Sequence, residues 1–232
     1  MTLRSGLICV SVTADDAAGI LSTVMPVTPL VDMVEIRLDG MRNPRIETCI
    51  AQIPCPVLVT NRPAWEGGQF DGSERDRIEV LCKAVRSGAR YVDIELRTGT
   101  DLVTQVRNEA KQCGTRVILS SHDFRGTPSL ATLRETLRLM IANGADIGKI
   151  VTTATNAEEA LRILSLQQEA LASAFPLSAF AMGAAGRISR FATLYLGGFM
   201  TYAALTAGQA TAPGQLSVKE LHALIALFEA GE

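Results

Sequence analysis

What most constrains this chain is an alternation repeated from end to end. Short β-branched runs take turns with longer amphipathic ones. Strands are expected at 7–13, 33–39, 57–60, 91–96, 116–120 and 147–152, with weaker ones at 175–181 and 198–202. Helical periodicity is clearest over 73–87, where Ile78, Leu81, Cys82 and Val85 share a face and Gly88 closes the segment. A second helix is expected from Thr127 as N-cap, with Pro128 in its first turn, to Asn143-Gly144. Two more are expected at 156–171 and 217–229. Strands that alternate with helices pair in parallel through right-handed crossovers. Eight such units in 232 residues leave roughly 29 residues each, close to one βαβ step. The expectation is therefore a (β/α)8 TIM barrel, with residues 1–232 forming one catalytic domain. An open doubly wound sheet would call for a glycine-rich turn after the first strand, and Val12-Thr13-Ala14-Asp15-Asp16 is not one.

Composition narrows the function classes. With 47% apolar residues there is ample surface to bury. A net charge of −2 argues against a nucleic-acid-binding protein. No apolar run reaches the ~20 residues of a membrane span. The first residues show no targeting pattern. Five scattered cysteines without a C-x-x-C pair suit reduced thiols. A cytoplasmic location is expected.

The expected strand ends are unusually charged. Glu35, Arg37 and Asp39 fall on one face of the second strand, because side chains alternate with period two. Asp93 and Glu95 do the same on the fourth. The third strand runs into Thr60-Asn61-Arg62, the fifth into Ser120-Ser121-His122-Asp123, and the sixth contains Lys149. Barrel chemistry sits at these ends, and inward charges must pair or act. The chain has 18 arginines but only four lysines. Lys83, Lys111 and Lys219 occupy polar helix positions, whereas Lys149 lies in a strand expected to be buried. Desolvation and nearby arginines should lower its pKa and free the amine for attack on a carbonyl. Pairing with Glu35, Glu66, Asp93 or Glu95 is the structural alternative. His122 suits general acid–base work, and His222 reads as a surface or interface residue. A metal centre would need more than one such histidine and no H-x-x-x-H is present, so none is expected. Arg37, Arg62 and Arg190 suit a small anionic substrate. The small, uncharged stretch 207–215 suits a loop that moves over a site.

These residues stand in a pattern that resembles the type I 3-dehydroquinate dehydratases, the Schiff-base-forming dehydroquinases of the shikimate pathway. It comprises Glu35-Ile36-Arg37-Leu38-Asp39, Thr60-Asn61-Arg62 with Glu66-Gly67-Gly68, and Asp93-Ile94-Glu95-Leu96. It continues with Ser120-Ser121-His122-Asp123-Phe124, Ala145-Asp146-Ile147-Gly148-Lys149-Ile150, Met182 through Ile188-Ser189-Arg190, and Ala212-Pro213-Gly214-Gln215. Order and spacing agree from about Leu7 onward.

The resemblance implies that Lys149 forms an imine with 3-dehydroquinate and that His122 moves the C2 proton, with Glu66 assisting it. It implies that Arg190 holds the substrate carboxylate, while Glu35, Arg37, Arg62 and Gln215 hold hydroxyls or neighbouring groups. Met182 would pack beside the ring. Thr211 falls where many members have serine. Asp39, Asp93 and Glu95 would support the site from behind. The product would be 3-dehydroshikimate, without metal or organic cofactor, and the assembly a homodimer. A class I aldolase would share the barrel and Lys149 but cleave a carbon–carbon bond. A non-catalytic sensor of the same descent would be expected to lose Lys149 or His122, and both are present.

Overall fold

The structure is a computed structural model and describes residues 4–206, 208 and 212–230. Its strands are β1 (Leu7–Val12), β2 (Met33–Arg37), β3 (Val57–Thr60), β4 (Tyr91–Glu95), β5 (Arg116–His122), β6 (Ile147–Thr153), β7 (Leu177–Met182) and β8 (Met200–Ala203). Every laddered pair is parallel, in the order β7-β6-β5-β4-β3-β2-β1-β8. The two ends of this sheet meet. Phe199 N–H donates to the Leu177 carbonyl at 2.8 Å, and Met200 N–H donates to Ser178 Oγ at 3.1 Å. A side-chain hydroxyl thus takes the place of a ladder carbonyl, and the barrel is nearly closed.

Helices pack around it: α1 (Ala17–Val24), α2 (Glu47–Gln52), α3 (Glu74–Arg86), α4 (Thr100–Cys113), α5 (Leu130–Ala142), α6 (Ala157–Leu164), α7 (Leu166–Ala172), α8 (Arg187–Thr193) and α9 (Val218–Glu229). The period-two pattern sorts the strand side chains into two cores. Val34, Ile36, Val92 and Ile94 face the helices and meet residues such as Ile78 and Leu81 of α3. Cys9, Met33, Leu58, Ile118, Ile147 and Met200 fill the barrel interior. This apolar plug is the floor beneath the charged layer.

Several boundaries differ from expectation for local reasons. β2 stops at Arg37, and Asp39 lies in a 3-10 turn, Leu38–Gly40. In that turn the Asp39 carboxylate accepts the backbone N–H groups of Arg62 and Gln69 at 3.1 and 3.0 Å. The helix expected from Thr127 begins instead after Ser129, whose side chain accepts the Thr132 N–H. The Thr127 hydroxyl is engaged elsewhere, with Thr152 and the Thr153 carbonyl. The segment 156–171 is two helices. The Ser165 hydroxyl bonds back to the Arg162 carbonyl at 2.7 Å where the first one ends, a bond that competes with helix continuation. At 217–229 the expected helix forms, opened by a capping box between Ser217 and Glu220.

Arg77 fixes α3 against the barrel. It is fully buried and donates to both oxygens of Glu74, to Glu95 Oε2 at 2.6 Å, to Thr98 Oγ1 and to the Asn61 carbonyl. Breaking a buried pair on one side leaves the other charge uncompensated. Arg77→Met is expected to cost about 3–5 kcal/mol of stability, read as a lower urea midpoint. An unchanged midpoint would show that Glu95 is satisfied without it.

Candidate active site

Strand register brings the charged residues together. Ser120 pairs with Lys149 across β5 and β6, Glu95 with Ser120 across β4 and β5, and Thr60 with Asp93 across β3 and β4. Lys149, 4% exposed, reaches inward. Its Nζ donates to Asp93 Oδ2 and to the Tyr202 hydroxyl, both at 3.0 Å, and lies 3.7 Å from Glu35 Oε1. The amine is therefore not alone in apolar walls, as desolvation by itself would have it. Asp93 and Glu35, two of the four partners the sequence offered, stand beside it.

Behind Lys149 the charges form a continuous chain. Asp93 Oδ1 accepts Arg62 Nη2 at 2.8 Å and the Ser120 hydroxyl at 2.6 Å. Arg62 Nη1 donates to Glu95 Oε1 at 2.6 Å and to Ser120 Oγ at 2.7 Å. Glu95 gives its other oxygen to Arg77. Burial pushes the Asp93 carboxyl up, but Arg62 and Lys149 outweigh it and hold Asp93 well below the usual carboxylate range. Burial likewise raises Glu35, and Lys149 and Arg37 bring it net downward. Arg37 is clamped by both oxygens of Asp39, at 2.8 and 2.6 Å.

His122 ends β5 and holds Glu66 from two atoms. Its backbone N–H donates to Glu66 Oε1 at 3.1 Å, and its Nδ1 lies 2.9 Å from the same oxygen. With Oε1 assigned as the acceptor of both contacts, Nδ1 carries the proton and Nε2 keeps its lone pair. Burial, then Arg62 and Lys149, push the imidazole well below its ordinary pKa, so the ring is neutral at pH 7. Burial raises Glu66 to about 8 despite Arg62. The Glu66-Gly67-Gly68 turn explains itself sterically. Gly67 has φ +78° and a Cβ there would strike Phe124, which stacks on His122 with rings 6.1 Å apart. A Cβ on Gly68 would strike the Arg62 carbonyl.

Arg190, from α8, is buried against Phe180 with its guanidinium 4.8 Å from the ring centroid. Its Nε has no hydrogen-bond partner among the described residues, and Nη2 reaches only the Pro213 carbonyl at 3.4 Å. Burial lowers it to about 10. Among the described residues no carboxylate forms a salt bridge with it, and a small anion would supply one.

These groups line one cleft at the C-terminal ends of the strands. Of the sequence-predicted residues, Glu35, Arg37, Arg62, Glu66, His122, Lys149, Met182, Arg190 and Gln215 line it, while Asp39, Asp93 and Glu95 lie behind them. Thr211 lies outside the described residues. The loop that ends in Ala212 and Gln215 is tied to β7 by Gly183 N–H donating to the Pro213 carbonyl at 3.3 Å. Lys83, Lys111 and Lys219 are exposed, and His222 bonds the Leu30 carbonyl. Sequence reasoning missed Ser11, Phe124, Phe180 and Tyr202 in the lining and Arg77 behind it. Alternation from Met200 would have turned Tyr202 inward, and Arg77 stands one helical turn before Leu81.

The family model for type I 3-dehydroquinase matches residues 8–232. The chain belongs to this family. A 3-dehydroquinate dehydratase from Desulfotalea psychrophila is 40% identical over 197 residues, spanning 85% of this chain and 87% of that one. The type I dehydratase of Clostridium difficile, solved with covalently modified comenic acid, superposes with a TM-score of 0.89 at 26% identity, covering 99% of this chain and 94% of its own. The Geobacillus kaustophilus 3-dehydroquinate dehydratase gives 0.88 at 27% identity with full coverage of both chains.

The two histidines make one consequence of this geometry measurable. In a 15N NMR titration His122 is expected to stay neutral as pH falls below 6.5, in the Nδ1–H tautomer. Protonation of His122 at an ordinary imidazole pKa would contradict the burial and charge assigned to it.

Proposed function

We propose that this family member dehydrates 3-dehydroquinate to 3-dehydroshikimate, a hydro-lyase step of the shikimate pathway, through an imine on Lys149. The observation that carries the proposal is the convergence on one cleft of a buried lysine amine, a neutral imidazole and an arginine without a carboxylate partner among the described residues. A covalent step is also in keeping with the covalently modified comenic acid in the Clostridium difficile relative.

Each residue then has a physical task. Arg190 takes the substrate carboxylate and so completes its own pairing. Arg37, held flat by Asp39, and Gln215 face the hydroxyls. Lys149 attacks the C3 ketone, and water leaves to give a protonated imine. That cation is a better electron sink than a ketone, because its charge is neutralised as the enamine forms. Nε2 of His122 removes the C2 proton, with Glu66 fixing the ring from the other side. His122 returns that proton to the C1 hydroxyl, which leaves as water, and hydrolysis of the conjugated iminium then frees Lys149 and releases the enone. Asp93 lies beside the nitrogen, where its negative charge stabilises the iminium. Met182 packs against the ring.

The whole chain acts as one barrel domain in this reading, in the cytoplasm and as a homodimer. Leu221 of α9 is buried against the barrel while Leu227 and Phe228 are exposed, leaving an apolar strip for a second subunit.

Purified protein given 3-dehydroquinate in the presence of a chelator should show a rise in the ultraviolet absorbance of the enone. Lys149→Ala should abolish that rise, because the other three lysines are remote from the cleft. Substantial turnover by the variant would refute the imine.

A further inference from the structure

Tyr202 stands between Lys149 and Glu35. Its hydroxyl oxygen is 3.0 Å from Lys149 Nζ and 3.2 Å from Glu35 Oε1, and its ring lies 4.5 Å from the ammonium. The direct separation of Nζ from Glu35 is 3.7 Å, too long for a hydrogen bond. A phenol has one proton, and an ammonium can only donate. The direction of the chain is therefore fixed: Lys149 donates to the phenol oxygen, and the phenol donates to Glu35.

Lysine needs such a path. As an ammonium it has no lone pair for the ketone, and Lys149 is almost closed to solvent. Its other close acceptor, Asp93, is saturated on its far side by Arg62 and Ser120 and held well below the usual range, so it pairs with the charge without taking the proton. Against burial, Glu35 is also brought below its ordinary value by Lys149 and Arg37, but its hydrogen bonds come from hydroxyls, Thr60 at 2.8 Å and Tyr202 at 3.2 Å, where Asp93 is held by a guanidinium.

We infer that Tyr202 is a catalytic proton relay, carrying a proton from the Lys149 ammonium to Glu35 when the imine forms and returning it when water leaves. The inference rests on the imine proposed above. In the step, Nζ gives one proton to the phenol oxygen as the phenol gives its own to Glu35. The phenol is unchanged, Lys149 is neutral and Glu35 is protonated. The Nζ lone pair then forms the bond to C3. The ketone oxygen takes two protons, one released by the nitrogen on attack and the one stored on Glu35, and departs as water. The sum is ammonium plus ketone giving iminium plus water, with Glu35 again a carboxylate.

The test is Tyr202→Phe, which keeps the ring over the lysine and removes only the hydroxyl. Borohydride trapping of the imine with 3-dehydroquinate should slow by about a hundredfold, the lower end for a lost acid–base group. The loss should fall on kcat, with substrate affinity little changed. Without the relay the ammonium must deprotonate to solvent, so kcat of the variant should climb with pH where the parent is flat. Glu35→Gln should show the same climb. The double variant should be no slower than Glu35→Gln alone, because both changes cut one path. A parent-like trapping rate and pH profile in folded Tyr202→Phe, or penalties that multiply in the double variant, would overturn the relay. If the parent protein itself is not trapped, the imine fails first. Trapping of the parent with no effect of Tyr202→Phe removes the relay alone.

Discussion

The site depends on one buried lattice of alternating charge. It runs Arg77, Glu95, Arg62, Asp93, Lys149, and then through the Tyr202 hydroxyl to Glu35. None of these groups could be buried charged by itself. Each is bearable because its neighbours on either side carry the opposite sign or a hydroxyl. Parallel strands in register supply the spacing, since inward side chains at matching heights on β4, β5 and β6 meet side by side. The apolar plug below and the helices outside keep water from the lattice, and that makes its geometry strict.

This lattice sets the charge states around it. Arg62 holds Asp93 ionised and, from the same place, helps keep His122 neutral. One cation thereby arranges an anion beside the lysine and a free imidazole lone pair across the cleft. Glu66, lifted to about 8 by burial, orients the imidazole while adding little negative charge that would favour its protonation. Arg190 lies outside the lattice, stacked on Phe180 and without a carboxylate partner among the described residues. Among the described residues the charges are balanced where the chemistry is proposed to occur, and one is left without a carboxylate where the substrate's carboxylate is proposed to bind. That division is the physical basis of the proposed dehydration.

Much of this was legible in the sequence, for identifiable reasons. The barrel followed from eight repeats of two periodicities. Glu35, Asp93 and Glu95 followed from alternation, and Lys149 from the oddity of an amine among β-branched residues. The partners of Lys149 were less legible: four carboxylates were open, and only the register selects Asp93 and Glu35. Arg77 was hidden because an arginine on an amphipathic helix ordinarily faces solvent. Tyr202 was hidden because its strand is short and weakly patterned. Helices α1, α2 and α8 escaped because they run only six to eight residues, too few for periodicity to show. The 14-residue α4 escaped as well, its buried face resting on only Val103, Val106 and Ala110. The N-cap moved from Thr127 to Ser129 because a hydroxyl is read as a cap only if nothing in the tertiary structure claims it first.

The central claim is that the buried amine is the nucleophile. The most direct measurement is peptide mapping by mass spectrometry after borohydride reduction in the presence of 3-dehydroquinate. With only Lys83, Lys111, Lys149 and Lys219 in the chain, the position of the adduct is unambiguous. The account predicts a single substrate-derived mass on the peptide that contains Lys149, with turnover lost in proportion to its yield. Turnover without an adduct, or an adduct on one of the three exposed lysines while Lys149 stays unmodified, would contradict it.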